Sequence, residues 1–372
     1  MQHTDHFEET EIIDLDLLPG TESRESEPAQ GDLPTQDDAP EDKAPERIIE
    51  RLKHIVAQHY MHIATAVIIL GVVIFAVCRF ANFGEYVDQS EIFKDGEGKY
   101  EDVMDLILPV DDEFLEGRVD DGVTTIVAFG NAPFADDRES PDSLLNIIQD
   151  KTDAVIYNCA VEGSYLASQE WVPNEHPMDA YTFYWLACLA CGITDTQVFD
   201  KAAAALGEDT PPGIDGILDQ LTSIDFNEVD VIAVMYDAQD YMMGNYIYDI
   251  SYHKNLTAFT GNLVAGLEVF QDTYPHIRII VMSPTYAFAV NEEGEYVSSD
   301  QYKYNPKEDV LSTYCILQGD MCSERAVSFV DNIYGTINED NAREYLKDNI
   351  KLNQAGREAV ADRFIYALTY FD

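Results

Sequence analysis

Four short blocks of this 372-residue chain bring together residue types that do chemistry at strand ends. They are Gly130-Asn131-Ala132-Pro133-Phe134-Ala135-Asp136-Asp137, Asn158-Cys159-Ala160-Val161-Glu162-Gly163-Ser164, Tyr236-Asp237-Ala238-Gln239-Asp240-Tyr241 and Asp348-Asn349-Ile350-Lys351-Leu352-Asn353-Gln354-Ala355-Gly356-Arg357. Asp136, Asp137, Asp237, Asp240 and Asp348 supply carboxylates, which in one place can hold a hard cation or accept hydrogen bonds from sugar hydroxyls. The bland alternative is a solvated acidic rim. Asp136 and Asp137 are the metal candidates, and no cofactor is expected. Ser164 and His176 are the pair available for nucleophile and base, against a loop serine and a surface histidine. Asn131, Ser164, Asp237 and Asp240 are the candidates to line a binding cleft.

Each block adjoins an element that would position it. Thr124–Gly130, Ala154–Ala160, Val229–Tyr236, Arg278–Ser283 and Ala326–Val330 are apolar throughout rather than alternating, as parallel strands covered on both faces are. Helical patterns fall between them at Asp142–Asp150, Ala180–Cys191, Gln197–Leu206, Ile214–Leu221, Leu256–Tyr274 and Lys307–Leu317, and Asn353–Tyr370 closes the chain. This alternation predicts an α/β doubly wound parallel sheet, in which ligands bind beyond the carboxyl ends of the strands.

The four blocks in this order resemble the SGNH, or GDSL-type, hydrolases over residues 122–370. The resemblance implies a flavodoxin-like three-layer α/β/α sandwich and hydrolysis of esters, often acetyl groups on sugars. Asp348, Leu352, Asn353 and Gly356 keep their places in the family's last block, and Gly163 keeps the glycine of the second. The departures fall on the chemistry. Ala132 stands at the nucleophile serine, Lys351 at the histidine base and Gln239 at the asparagine that donates to the oxyanion; Asp237 replaces a glycine. Alanine has no lone pair with which to attack a carbonyl. A lysine beside Asp348 would stay charged and act as a poor base, the two forming an ion pair in place of the His–Asp couple. Gln239 could still donate, but one methylene out of place.

Before residue 122 the chain reads differently. Residues 1–42 hold 14 acidic residues and one Arg, too polar to order themselves. Within them residues 11–19 alternate acidic and apolar, as in a docking segment for a cytoplasmic partner or a chance apolar cluster. Residues 43–60 form a basic amphipathic lead-in helix. Tyr60–Cys78 contains 19 residues with His62 as its one side chain that can carry a charge near neutral pH, long enough to cross a bilayer; residues 61–80 are therefore expected to be a transmembrane helix. Lys43, Arg47, Arg51 and Lys53 precede it and Arg79 alone closely follows, which places the N-terminus in the cytoplasm and the large domain outside. Residues 81–121 are expected to be a juxtamembrane stalk, with Val103–Val110 able to pack on the edge of a domain spanning 122–372. The resemblance adds a bacterial plasma membrane.

With 70 acidic against 22 basic residues the formal net charge is −48, so nucleic acid is an unsuitable partner. Cys188 and Cys191 have CxxC spacing within an apolar helical stretch and without the second ligand pair that zinc needs; Cys315 and Cys322 are close enough in sequence to form a disulfide or remain buried thiols. Two functional readings remain open. One is a non-catalytic cell-surface protein that binds a polysaccharide or serves a membrane assembly; the other is an active esterase or acyltransferase with a rebuilt site.

Overall fold

The computed structural model describes residues 103–118 and 121–371. The expected span 61–80, the docking segment 11–19, the lead-in helix and most of the stalk lie outside the described residues. Among the described residues no helix is long and apolar enough to cross a membrane.

Five parallel strands make the central sheet: β1 (Thr125–Gly130), β2 (Val155–Asn158), β3 (Val231–Met235), β4 (Arg278–Met282) and β7 (Ser328–Val330). Their order, β2-β1-β3-β4-β7, is that of a flavodoxin-like sheet, in which the direction of winding reverses between β1 and β3. The register places Ala128 beside Ala233 and Gly130 beside Met235. β5 (Ala289–Val290) and β6 (Tyr296–Val297) form a small antiparallel hairpin. β3 is buried along its length, whereas β2, at the edge, is exposed at Val155 and half-buried beyond it. All five strands read from the sequence are present, slightly shortened.

Among the described residues seven helices have eight or more residues: α1 (Leu144–Thr152), α2 (Phe183–Ala190), α3 (Gln197–Leu206), α4 (Ile214–Ser223), α5 (Phe259–Thr273), α6 (Leu311–Glu324) and α7 (Gln354–Leu368). α1 packs against α7 to form one layer, and α5 packs against both α2 and α6 to form the other. Local chemistry sets the ends: Ser143 caps α1 through the Asn146 N–H, and Asn353 caps α7 through the Gly356 N–H. Aromatic side chains fill the layer between β1 and α5, where Phe129 meets Phe183 and Phe270 at 5.7 and 5.4 Å between ring centroids.

The fold reaches back before residue 122. Leu106 bridges Phe329 of β7 in antiparallel fashion, the Met104 N–H donates to Asp331, and the Leu108 N–H donates to Ser328 Oγ. Asp105 bonds Arg363 and accepts from the Asp331 N–H. The segment from Met104 to Leu108 therefore covers the β7 edge, which would otherwise offer unpaired backbone groups.

Cys315 and Cys322 are free thiols, the second of the two alternatives left open by the sequence. Both lie on α6, seven residues and about 10 Å of helix rise apart, beyond the span of a disulfide. Both are buried, and burial raises their thiol pKa values. Cys188 and Cys191 are free as well.

Candidate functional site

The site is organised by the point where β1 and β3 run side by side and end. Gly130 is required there by proximity: a Cβ on it would stand 1.9 Å from the Met235 carbonyl oxygen. That approach lets Asn131, fully buried, face the first residues after β3. Asn131 Nδ2 donates to Asp237 Oδ1 at 2.7 Å and to the Ser164 carbonyl at 2.9 Å, and its Oδ1 accepts from the Asp237 N–H at 2.8 Å. The Gln239 N–H also donates to Asp237 Oδ1. One asparagine thus ties the ends of β1, β2 and β3 together. Burial pushes the Asp237 carboxyl up to about 6, against the Asn131 and Gln239 hydrogen bonds that favour the ionised form.

Asp240 is buried and serves the neighbouring loop. Its two oxygens accept from the Leu166 and Ala167 N–H groups, each at 2.9 Å, and Oδ1 also accepts from Asn245 Nδ2 at 2.8 Å. Burial raises its pKa despite these bonds. Ser164 is equally buried; its hydroxyl donates to the Val161 carbonyl at 2.8 Å. His176 is half exposed, with Nε2 3.7 Å from Glu170. Ser164, with its hydroxyl turned to a backbone carbonyl and its side chain out of solvent, is not placed to attack a substrate. Asn131, Ser164 and Asp240 build the floor of the site rather than a ligand-facing wall.

A small hollow opens above this floor, lined by Ala132, Pro133, Asp136, Asp237, Thr285, Ile350, Lys351, Leu352 and Arg357. Ala132 and Lys351, far apart in sequence, share it. Its volume is about 10 Å³, room for about one water molecule. Lys351 is held by Asp136, Nζ to Oδ1 3.1 Å, and Lys347 approaches the other Asp136 oxygen at 3.5 Å. Burial alone would lower the Lys351 pKa; the Asp136 carboxylate outweighs it, so the ammonium is kept charged. The expected Lys351–Asp348 pair is corrected. Asp348 is exposed and its Oδ1 accepts from the Ile350 and Lys351 N–H groups, closing its own turn.

The remaining positions follow. Asp137 pairs with Arg357 at 2.6 Å, and that guanidinium holds its carboxyl below the usual range. Asp136 and Asp137 are therefore neutralised by Lys351, Lys347 and Arg357, and among the described residues no group of three or more metal-ligating side chains is assembled. Gln239 is half-buried, and its Nε2 lies 3.8 Å from the Met243 sulfur, along its own helical turn and outside the lining of the hollow. Gly163 takes φ +76° in the turn after β2 and does not line the hollow either. Thr285, Ile350 and Arg357 belong to the lining without having been singled out in the sequence. The acidic pair at 136–137 and the cations at 347, 351 and 357 were the available signal, as complementary charge on two strand-end loops.

No family model matches the sequence, and no curated protein matches it. Solved structures show a partial likeness to this chain. A possible lipase from Chitinophaga pinensis is 11% identical with a TM-score of 0.41, covering 67% of this chain and 99% of its own. The M. smegmatis aryl esterase is 13% identical with a TM-score of 0.40, covering 67% and 100%. A protein from Lactobacillus plantarum is 16% identical with a TM-score of 0.46, covering 67% and 98%.

Proposed function

We propose that this chain is a non-catalytic protein of SGNH-hydrolase fold, held to a membrane by residues 61–80, with its large domain outside the cell and its binding function directed at a surface glycan. One observation carries the loss of catalysis: where the family resemblance puts nucleophile and base, a methyl group and a charged ammonium share a hollow with room for about one water. Neither group can take a proton from an attacking oxygen and deliver that oxygen to an ester. Asp348, the position of the orienting carboxylate, is occupied by its own turn. The span, its orientation and the docking of residues 11–19 to a cytoplasmic partner rest on the sequence pattern.

The test is enzymatic. The full chain, purified in detergent, should take no label from a serine-reactive fluorophosphonate and should not hydrolyse nitrophenyl acetate above a heat-denatured control. Labelling that disappears in Ser164→Ala would establish a rebuilt esterase and remove this reading.

A further inference from the structure

The chain contains 2 tryptophans among its 372 residues, and both line one surface groove. The groove lies between α2, α5 and the loops around residues 171 and 252; its walls include Trp171, Tyr184, Trp185, Tyr252, Lys254 and Glu268. It shares no lining residue with the hollow at the end of β1. Trp171 and Tyr252 are each 48% exposed, although large aromatic side chains are ordinarily withdrawn from water. Their rings adjoin, with centroids 5.5 Å apart and planes tilted by 34°. Tyr184 and Trp185 meet edge to face at the other wall, also at 5.5 Å.

Trp185 and Val172 also line a second hollow, with Asn174, Thr194, Asp195, Gln197 and Lys201 among its walls. The two volumes are about 480 and 490 Å³, so a chain-like ligand has room on both sides of the Trp185 indole. The indole Nε1–H, in the wall the two share, is buried without an acceptor. A buried donor left unpaired is uncommon in folded proteins.

From these features we infer that the groove is a saccharide-binding site for a neutral, extended oligosaccharide, with Trp171 and Tyr252 as the stacking platform. Flat aromatic faces match the C–H faces of pyranose rings. Carboxylate, ammonium and amide groups at the rim match the hydroxyls. Charge selects among ligands. A net charge of −48 disfavours anionic polymers. Lys254 and Glu268 are paired inside the groove, so they offer a sugar adjacent donor and acceptor groups rather than an isolated charge. Glu268 is also bonded by Arg325 and is thereby held in place as an acceptor. This rests on the proposed glycan-directed function but moves the binding surface away from the family's reaction site.

The two tryptophans make the test direct, because all indole fluorescence in the chain arises at the groove. The full chain in detergent is titrated with cellohexaose and chitohexaose, following emission and, in parallel, heat by calorimetry. A saturable spectral shift is expected with at least one of them. Trp171→Ala or Tyr252→Ala, both at exposed positions, should weaken binding by about tenfold or more. No shift at millimolar sugar, or binding that survives both substitutions, overturns the assignment. So does a shift that depends on protein concentration without sugar, which would make the groove a contact between copies. Fluorophosphonate labelling reports on the other region, so the two proposals can fail separately.

Discussion

At the hollow beyond β1 the polar groups are spoken for. Asp136 holds Lys351, Asp137 holds Arg357, Asp348 closes its own turn, and Asn131 bridges to Asp237 and the Ser164 carbonyl. Along the groove beside α5 the arrangement differs: Trp171 and Tyr252 stand half in solvent. The first region spends its polar side chains on the protein, and the second leaves aromatic faces in solvent. A scaffold can therefore keep the geometry of a reaction site through backbone-directed hydrogen bonds after the reacting groups are gone, because those bonds stabilise the loops whatever the chemistry. Substitutions at the hollow should accordingly read out as changes in stability, and those at the groove as changes in affinity.

The largest stability effect is expected at Asp240. Asp240→Ala removes the acceptor for two backbone N–H groups and the Asn245 amide, all in a buried setting. Unsatisfied buried donors cost about 1–3 kcal/mol each, so denaturant unfolding should show a loss of roughly 3 kcal/mol or more. A loss within about 0.5 kcal/mol would mean that the loop after β2 is held by something else, and the picture of the hollow as scaffold would fail.

Asp237 sharpens the comparison in the opposite direction. Its carboxyl is raised from 3.8 to about 6 by burial, so the folded state binds a proton more tightly than the unfolded chain. Stability attributable to this group is therefore greatest at low pH and falls as pH rises from about 4 through about 6. Asp237→Asn keeps an oxygen to accept from Asn131 and Gln239 and removes the buried charge. It should stabilise the protein at pH 8 by an amount on the order of 2–3 kcal/mol and flatten the stability profile between pH 4 and 7. If the variant is less stable than the parent at pH 8, the ionised carboxylate is being used, and the hollow is not merely structural.

How far these features could be read beforehand differs between fold and site. Central parallel strands are apolar on both faces, so Ile126–Phe129 and Val231–Met235 announce themselves as unbroken runs. Gly130 and Asn353 mark the end of a strand and the start of a helix through their own local chemistry. Pairings across the fold carry no such mark. Lys351 sits three residues from Asp348 in sequence, yet its partner is Asp136, 215 residues away, because the Asp348 oxygen is captured first by the two nearest N–H groups. The exchange of hydrogen bonds between Asn131 and Asp237 is likewise set by how closely β1 and β3 approach at Gly130. The aromatic groove was hidden for a related reason. Tyr184 and Trp185 read as part of an apolar helix, and only the packing of α2 against α5 decides which side of that helix remains uncovered.

The smallest expected effect concerns Lys351 itself. Its side chain is 35% exposed and its partner Asp136 13%, so solvent screens the pair and its worth is about 0.5–1 kcal/mol. The lysine pKa is raised in the folded state, and the sign follows: the contribution is complete below about pH 10 and is lost as pH rises through the raised value. Lys351→Ala should cost no more than about 1 kcal/mol in denaturant unfolding at low salt, less at high salt where the exposed part of the pair is screened. It also opens the hollow beside Ala132 without supplying a base, so ester hydrolysis should stay at background. A loss of several kcal/mol would instead identify the Lys351–Asp136 pair as the clasp of the C-terminal loop, leaving Asn131 and Asp240 to hold only the loops beyond β2 and β3.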